Sequence, residues 1–147
     1  MNKRYKTFET QTLFSFDVHQ PNLEKFFVKN FVVDRKSKFS WTAIKVFSTK
    51  DIKIALKDIL KDKFYKKATH NIYAYRIVTS DGIIEGKNDD GEIGGWNCIL
   101  SVLRNKNIAN VLIIVTRYYG WIHLNSDRFK HIVNTANYVV DKILEDK

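Results

Sequence analysis

The chain has 147 residues, enough for one hydrophobic core, and nothing in that length asks for a second. Hydrophobic residues make up 44% and aromatic residues 14%, which excludes a disordered tail. A balance of 25 Lys and Arg against 16 Asp and Glu gives +9, a charge that suits RNA or an acidic protein face without choosing between them, and that a merely solvated basic surface would also show. The single cysteine, Cys98, excludes an internal disulfide, fits a reducing compartment, and reads as a small buried side chain rather than a nucleophile. No stretch approaches the roughly 18 consecutive apolar residues of a membrane span. Met1 to Thr12 is charged and polar, unlike a signal peptide. A soluble, cytoplasmic protein without membrane contact is expected.

In chain order, the first 29 residues hold aromatic pieces (Leu13-Phe14-Ser15-Phe16 and Phe26-Phe27-Val28) around a Gln20-Pro21-Asn22 turn signal, and no element is assigned to them. Between Phe31 and Phe47 the content of β-branched and aromatic residues rises. Phe39, Trp41 and Ala43 alternate with Ser40 and Thr42, the pattern of a strand with one apolar and one wet face. Ser48-Thr49-Lys50-Asp51 has capping-box spacing and predicts a helix start. Ile52, Ala55, Leu56, Ile59 and Leu60 then recur at helical steps, with Lys53, Lys57 and Lys61 on the opposite side. Asn71 to Thr79 and Ile83 to Lys87 read as strands of a hairpin turning at Asp81-Gly82. Trp96, Ile99, Leu100 and Leu103 have helical spacing, broken between Asn105 and Asn110. Val111-Leu112-Ile113-Ile114-Val115, the most apolar run, predicts a central strand covered on both faces. A last helix starts at Ser126-Asp127 and lines Phe129, Ile132, Val133, Ala136, Val140, Ile143 and Leu144 along one side. The order βαββαβα, with four strands, builds a mixed sheet with helices packed over it.

Polar residues concentrate at two points flanking the apolar run: Asp89-Asp90-Gly91-Glu92 and Arg117-Tyr118-Tyr119-Gly120. The acidic cluster reads as a turn capping the next helix in preference to a hard-cation site. Arg117, at the end of a buried strand, is placed either to pair with a carboxylate of that turn or to meet a partner directly. Tyr118, Tyr119 and Trp121 are core aromatics or an anchor surface. His70, His123 and His131 lack metal-ligand spacing, and His131, one helical turn from Asp127, is expected to contact it. No nucleophile elbow, Walker loop or dinucleotide fingerprint is present. No metal or cofactor is called for, and a binding module is expected rather than an enzyme.

Five segments in order, Asp34-Arg35-Lys36-Ser37-Lys38-Phe39, Ala68-Thr69-His70-Asn71-Ile72-Tyr73-Ala74-Tyr75-Arg76-Ile77, Asp89-Asp90-Gly91-Glu92, Arg117-Tyr118-Tyr119-Gly120 and Asp127-Arg128-Phe129-Lys130-His131, resemble the Impact family. The likeness is to its ancient domain, shared with bacterial proteins of the YigZ type, and covers roughly Asp34 to Val140. It implies a two-layer α/β (α+β) fold like domain two of a small-subunit ribosomal protein, one that allows a left-handed crossover. It also implies a protein that binds the large activator of the general-control kinase and so restrains phosphorylation of the translation initiation factor under stress. Eukaryotic members carry an RWD domain ahead of this one, whereas residues 1–33 here read as a short extension before a domain spanning 34–147. Two loops depart from the family pattern. Ile93, Gly94, Gly95, Trp96 and Asn97 stand where small residues are usual, and Trp121, His123, Asn125 and Ser126 replace a glycine-rich stretch.

The expected partner surface comprises Asp89, Asp90, Glu92, Arg117, Tyr118, Tyr119, Trp121, Asp127, Arg128, Lys130 and His131, and its expected partner is a translation-control protein. The runner-up is an RNA- or ribosome-associated module using Lys53, Lys57 and Lys61. A third reading, metal-assisted hydrolysis of a small anion at the acidic turn, ranks last.

Overall fold

The computed structural model describes residues 18–144, the side chain of Trp96 apart. The readings of residues 1–12 and of the aromatic piece 13–16 lie outside the described residues. Within them the chain runs β1 (Lys25–Asp34), β2 (Ser37–Lys45), α1 (Thr49–Ile59), α2 (Lys63–Lys66), β3 (His70–Thr79), β4 (Gly82–Asn88), α3 (Gly95–Asn105), β5 (Val111–Tyr118) and α4 (Asp127–Ile143).

The fold is the two-layer α+β arrangement expected, built on one open sheet in the order β1-β2-β5-β3-β4. Two details correct the expectation of a mixed, four-stranded sheet. Every neighbouring pair of strands is antiparallel, and a fifth strand, β1, forms one edge. The sequence hides β1 because its turn into β2 lacks the usual punctuation. Arg35 and Lys36 reverse the chain at φ +47° and +70°, a conformation for which hairpins normally recruit Asn or Gly. The hairpin of β3 and β4 is plain in the sequence for the opposite reason, since Gly82 supplies φ +121° at the turn.

Strand β5 lies at the centre and is buried from Val111 to Arg117. Val111, Ile113 and Val115 face α3 and α4, where they meet Ile99, Leu103, Ile132 and Val139. Leu112 and Ile114 face the other way, against Ile52, Ile59 and Tyr65 of α1 and α2. Both faces are therefore covered at the sheet centre, as a strand without polar alternation requires. The same cover corrects the reading of β2. Ser40 and Thr42, expected to be wet, are buried. Ser40 accepts the Asn30 amide at 2.8 Å, and the Thr42 hydroxyl lies 2.7 Å from that of Tyr65, so each polar group is matched.

Helix α1 starts as its capping signal predicts, with one variation. Ser48 Oγ accepts the Asp51 amide at 3.1 Å, while the Asp51 carboxylate takes the amide of Phe47 at 2.9 Å, one residue ahead of the cap. Lys53 and Lys57 are exposed along it and Lys61 just beyond its end, but so is Leu60, which falls at the C-cap and leaves the apolar stripe. None of the described helices is long and apolar enough to cross a membrane.

Because β5 is antiparallel to both β2 and β3, its C-terminal end lies beside the β1–β2 turn and the start of β3. The pairing of β3 with β4 brings Asn88, and the acidic turn after it, to the same end. The loop leaving β5 feeds α4 there as well. Residues far apart in sequence thus meet at one end of the sheet.

Candidate functional site

Glu92 is the centre of this end. Its carboxylate, 3% exposed, is held by Nη1 of Arg117 at 3.0 and 2.9 Å, by Nε of Arg128 at 2.9 Å and by Nε2 of His70 at 3.0 Å. Arg117 is itself 5% exposed. Its guanidinium lies over the rings of Phe39 and Tyr119, at 5.4 and 5.5 Å, and donates to Ser37 Oγ at 3.3 Å. Of the two roles open to Arg117 in the sequence, it takes the pairing with the acidic turn. A buried ion pair costs desolvation and holds only with such geometry, so the two turns are locked rather than merely adjacent.

The rest of the acidic turn is committed to backbone. Asp89 accepts the amide of Gly94, the N-cap residue of α3, at 2.9 Å, which braces the entry to the helix, whereas the helix itself has no side-chain cap hydrogen bond of the kind read from the sequence. Asp90, at φ +49°, accepts the Asn71 amide at 2.6 Å, and its carbonyl lies 2.7 Å from Nδ1 of His70. A second network ties the β1–β2 turn to α4. Arg35 bridges Asp34 and Asp127, and Asp34 reaches Nε2 of His131 at 2.7 Å. Arg35, and then His131, hold the Asp34 carboxyl below its usual range. The expected contact of His131 with Asp127 is therefore replaced by one to Asp34, because the β1–β2 turn, invisible in the sequence, intervenes.

Tyr118 does not join the patch. Alternation turns it to the opposite face, where its ring packs 5.4 Å from that of Phe64, its hydroxyl donates to the Phe64 carbonyl, and burial raises its pKa. Tyr119 does join, with its ring 5.3 Å from that of Trp121 and 5.8 Å from that of His123. Trp121 is 85% exposed at φ +68°, a strained conformation for a bulky side chain. Lys130 is exposed on α4. Gly120 allows this loop to lie against the β1–β2 turn, since a Cβ there would stand 2.2 Å from the Lys36 backbone. Between the turns opens a cleft of about 290 Å³ lined by Thr69, His70, Glu92, Ile93, Arg117, His123 and Arg128 among others.

His70, Ser37, Asp34, Arg35 and Ile93 belong to this site and escaped a reading based on the two charged signatures. All but Ile93 lie in the family-like segments starting at Asp34 and Ala68. The lysines of the runner-up lie elsewhere. Lys57 and Lys61 line a groove of about 600 Å³ with Lys25 and Lys45. Lys45 pairs with Val111 and Phe39 with Arg117, which puts the groove and the cleft at opposite ends of β5, roughly 20 Å apart at about 3.3 Å per residue. Among the described residues no group of His, Cys, Asp or Glu has the arrangement of a metal site. Cys98 is half-buried against the core, and burial raises its thiol pKa.

An open antiparallel sheet packed with helices, whose strand ends gather two charged turns, defines a class, and comparison with known proteins identifies it. A model of the Impact N-terminal domain matches residues 35–140, and the chain belongs to that family. It is 39% identical over 110 residues to the Protein IMPACT homolog of Schizosaccharomyces pombe, covering 74% of this chain and 39% of that protein. Against Protein IMPACT of Homo sapiens the identity is 40% over 114 residues, covering 76% and 36%. The chain thus spans less than two fifths of these relatives. Among solved structures, the two-domain translational regulator Yih1 aligns with a TM-score of 0.55 at 28% identity, covering 86% of this chain and 50% of that one. The crystal structure of a hypothetical protein aligns with a TM-score of 0.65 at 22% identity over 84% of this chain and 58% of that one, a likeness of fold alone.

Proposed function

We propose that the chain is a non-enzymatic binding module of translation control, and that it engages a protein partner through the end of the sheet where the two charged turns meet. The family supports a regulatory role, and one solved relative is described as a translational regulator. The observation that carries the site is Trp121. A tryptophan 85% exposed, held at positive φ beside Ile122 and stacked near Tyr119 of the cleft that Ile93, 79% exposed, also lines, on a base locked by a buried ion network, has the make-up of a binding hot spot. The Asp89, Asp90 and Glu92 turn and the Asp127, Arg128 and His131 helix start are the rigid base. Lys130 borders it. The partner in this reading is the large activator of the general-control kinase, as the resemblance implies.

Binding of the purified chain to that activator tests it. Trp121→Ala, which removes no core contact, should weaken binding by about 30-fold or more, the scale of a hot-spot residue. Unchanged affinity in a variant of unchanged stability would remove this surface from consideration.

A second reading has its own observation. Phe27, 39% exposed, lies on β1 between Lys25 and Lys29, and these line a pocket with Phe64 while Lys29 Nζ lies 5.6 Å from the Phe64 ring. Seven lysines stand against three aspartates between positions 50 and 67. This basic, aromatic face suits single-stranded RNA. Affinity for RNA through it would fall steeply with salt, and Trp121→Ala would leave it intact.

A further inference from the structure

The cleft beside Trp121 carries a charge that its own residues leave unmatched. Two guanidinium groups, Arg117 and Arg128, which stay charged in proteins, face a single carboxylate, that of Glu92. The other carboxylates of this end of the sheet do not line the cleft. Asp34 and Asp127 hold Arg35, while Asp89 and Asp90 accept backbone amides. Arg117, buried in the cleft wall, also has an Nε without an acceptor. Among the residues that line the cleft, two guanidinium groups therefore face one carboxylate.

We infer that the cleft accepts the carboxylate of an Asp or Glu side chain from the partner, presented on a peptide segment whose apolar neighbours rest on Ile93 and Trp121. This names the chemistry of the surface proposed above and rests on that reading. Charge complementarity selects an anion. The rim favours a peptide: Ile93 and Ile122, 79 and 43% exposed, flank Trp121 with aliphatic surface that suits apolar side chains and gives a base nothing to stack on. A carboxylate between Arg128 and His123 would form charge-assisted hydrogen bonds in a partly desolvated site, the strong kind. The apolar contacts around it would exclude water.

Two capped peptides that differ in one group provide the probe: acetyl-Leu-Ala-Asp-Phe-Ala-Leu-amide and its counterpart with Asn in place of Asp. Titrated into the ¹⁵N-labelled chain, the Asp peptide should shift the amides of 91–94 and 120–128 and bind about tenfold more tightly than the Asn peptide, the scale of one lost charge-assisted hydrogen bond. Arg128→Gln, which leaves Glu92 its bonds to Arg117 and His70, should erase that tenfold preference while the remaining spectrum keeps its dispersion. Equal binding of the two peptides, or a preference that survives Arg128→Gln, would overturn the inference. So would inorganic phosphate or an oligouridylate moving these amides where the Asp peptide does not. The outcome is separable from that of the surface itself. If Trp121→Ala loses the activator while Arg128→Gln binds it undiminished, the surface stands and the carboxylate anchor falls; if both variants bind normally, the surface falls too.

Discussion

Burial decides which of the charged contacts at the strand ends matter to stability. The pair of Arg35 with Asp127 joins side chains 37 and 51% exposed, where solvent screening leaves a contact little weight. Glu92 and Arg117, at 3 and 6%, are a different case, because removing one partner strands the other charge in a dry site. Glu92→Gln is nearly isosteric, yet its amide turns a donor toward two guanidinium groups and leaves Arg117 without a counter-charge. We expect a loss of about 3–5 kcal/mol, read as a lower urea midpoint at unchanged slope. Asp127→Asn should stay within about 1 kcal/mol of the parent. A Glu92→Gln loss no larger than that of Asp127→Asn would mean that the network does not bear on the fold. Arg117 was legible from sequence as a strand-end residue with two roles. The choice between them was not, because desolvation depends on Phe39, Ser37 and Tyr119 closing around it, and these come from other strands.

At the scale of elements, the site exists because the β1–β2 turn and the β5–α4 loop touch. Gly120 is where they do. A Cβ at this position would lie 2.2 Å from the Lys36 carbonyl carbon and 2.5 Å from its Cβ and oxygen, and backbone atoms cannot step aside as a flexible side-chain tip can. Gly120→Ala should therefore push the loop from the turn, disturb the Arg35 bridge to Asp127, and cost roughly 1–3 kcal/mol, the range of an overpacked site. Amide shifts centred on 34–37 and 119–127, with little change at the distant β3–β4 turn, would check it. A crystal structure of the variant with both loops in place would count against it. This contact also marks the limit of sequence reading for the elements. The β3–β4 hairpin, α3, β5 and α4 each announce themselves by period or by glycine, whereas β1 and its turn do not. Arg35 and Lys36 occupy left-handed conformations because Asp34, Asp127 and the loop above hold them there, and no local signal encodes that.

Taken as a whole, the molecule is two antiparallel hairpins, β1–β2 and β3–β4, joined by the last strand in the chain. Within the sheet β5 pairs with β2 on one side and β3 on the other. Its alternate side chains also divide the interior into the cluster under α3 and α4 and the cluster under α1 and α2. The sequence showed β5 to be central, since a run without polar residues must be buried on both faces. It did not show which strands flank it, and that register is what sets His70 opposite Arg117 and so assembles the Glu92 network. If β5 is the shared element, the amides from Leu112 to Thr116 should exchange with solvent only through global unfolding, while outward-facing amides of the edge strands β1 and β4 exchange through smaller openings. Ile113→Ala, at a fully buried position, should cost about 2–5 kcal/mol and lower the protection of β5, β2 and β3 by the same amount, because one opening exposes all three. Hydrogen exchange followed by NMR measures both. Protection lost in β2 but kept in β3 would show two hairpins folding as separate units, and the end of the sheet would then be a hinge between them instead of the rigid base that a binding surface needs.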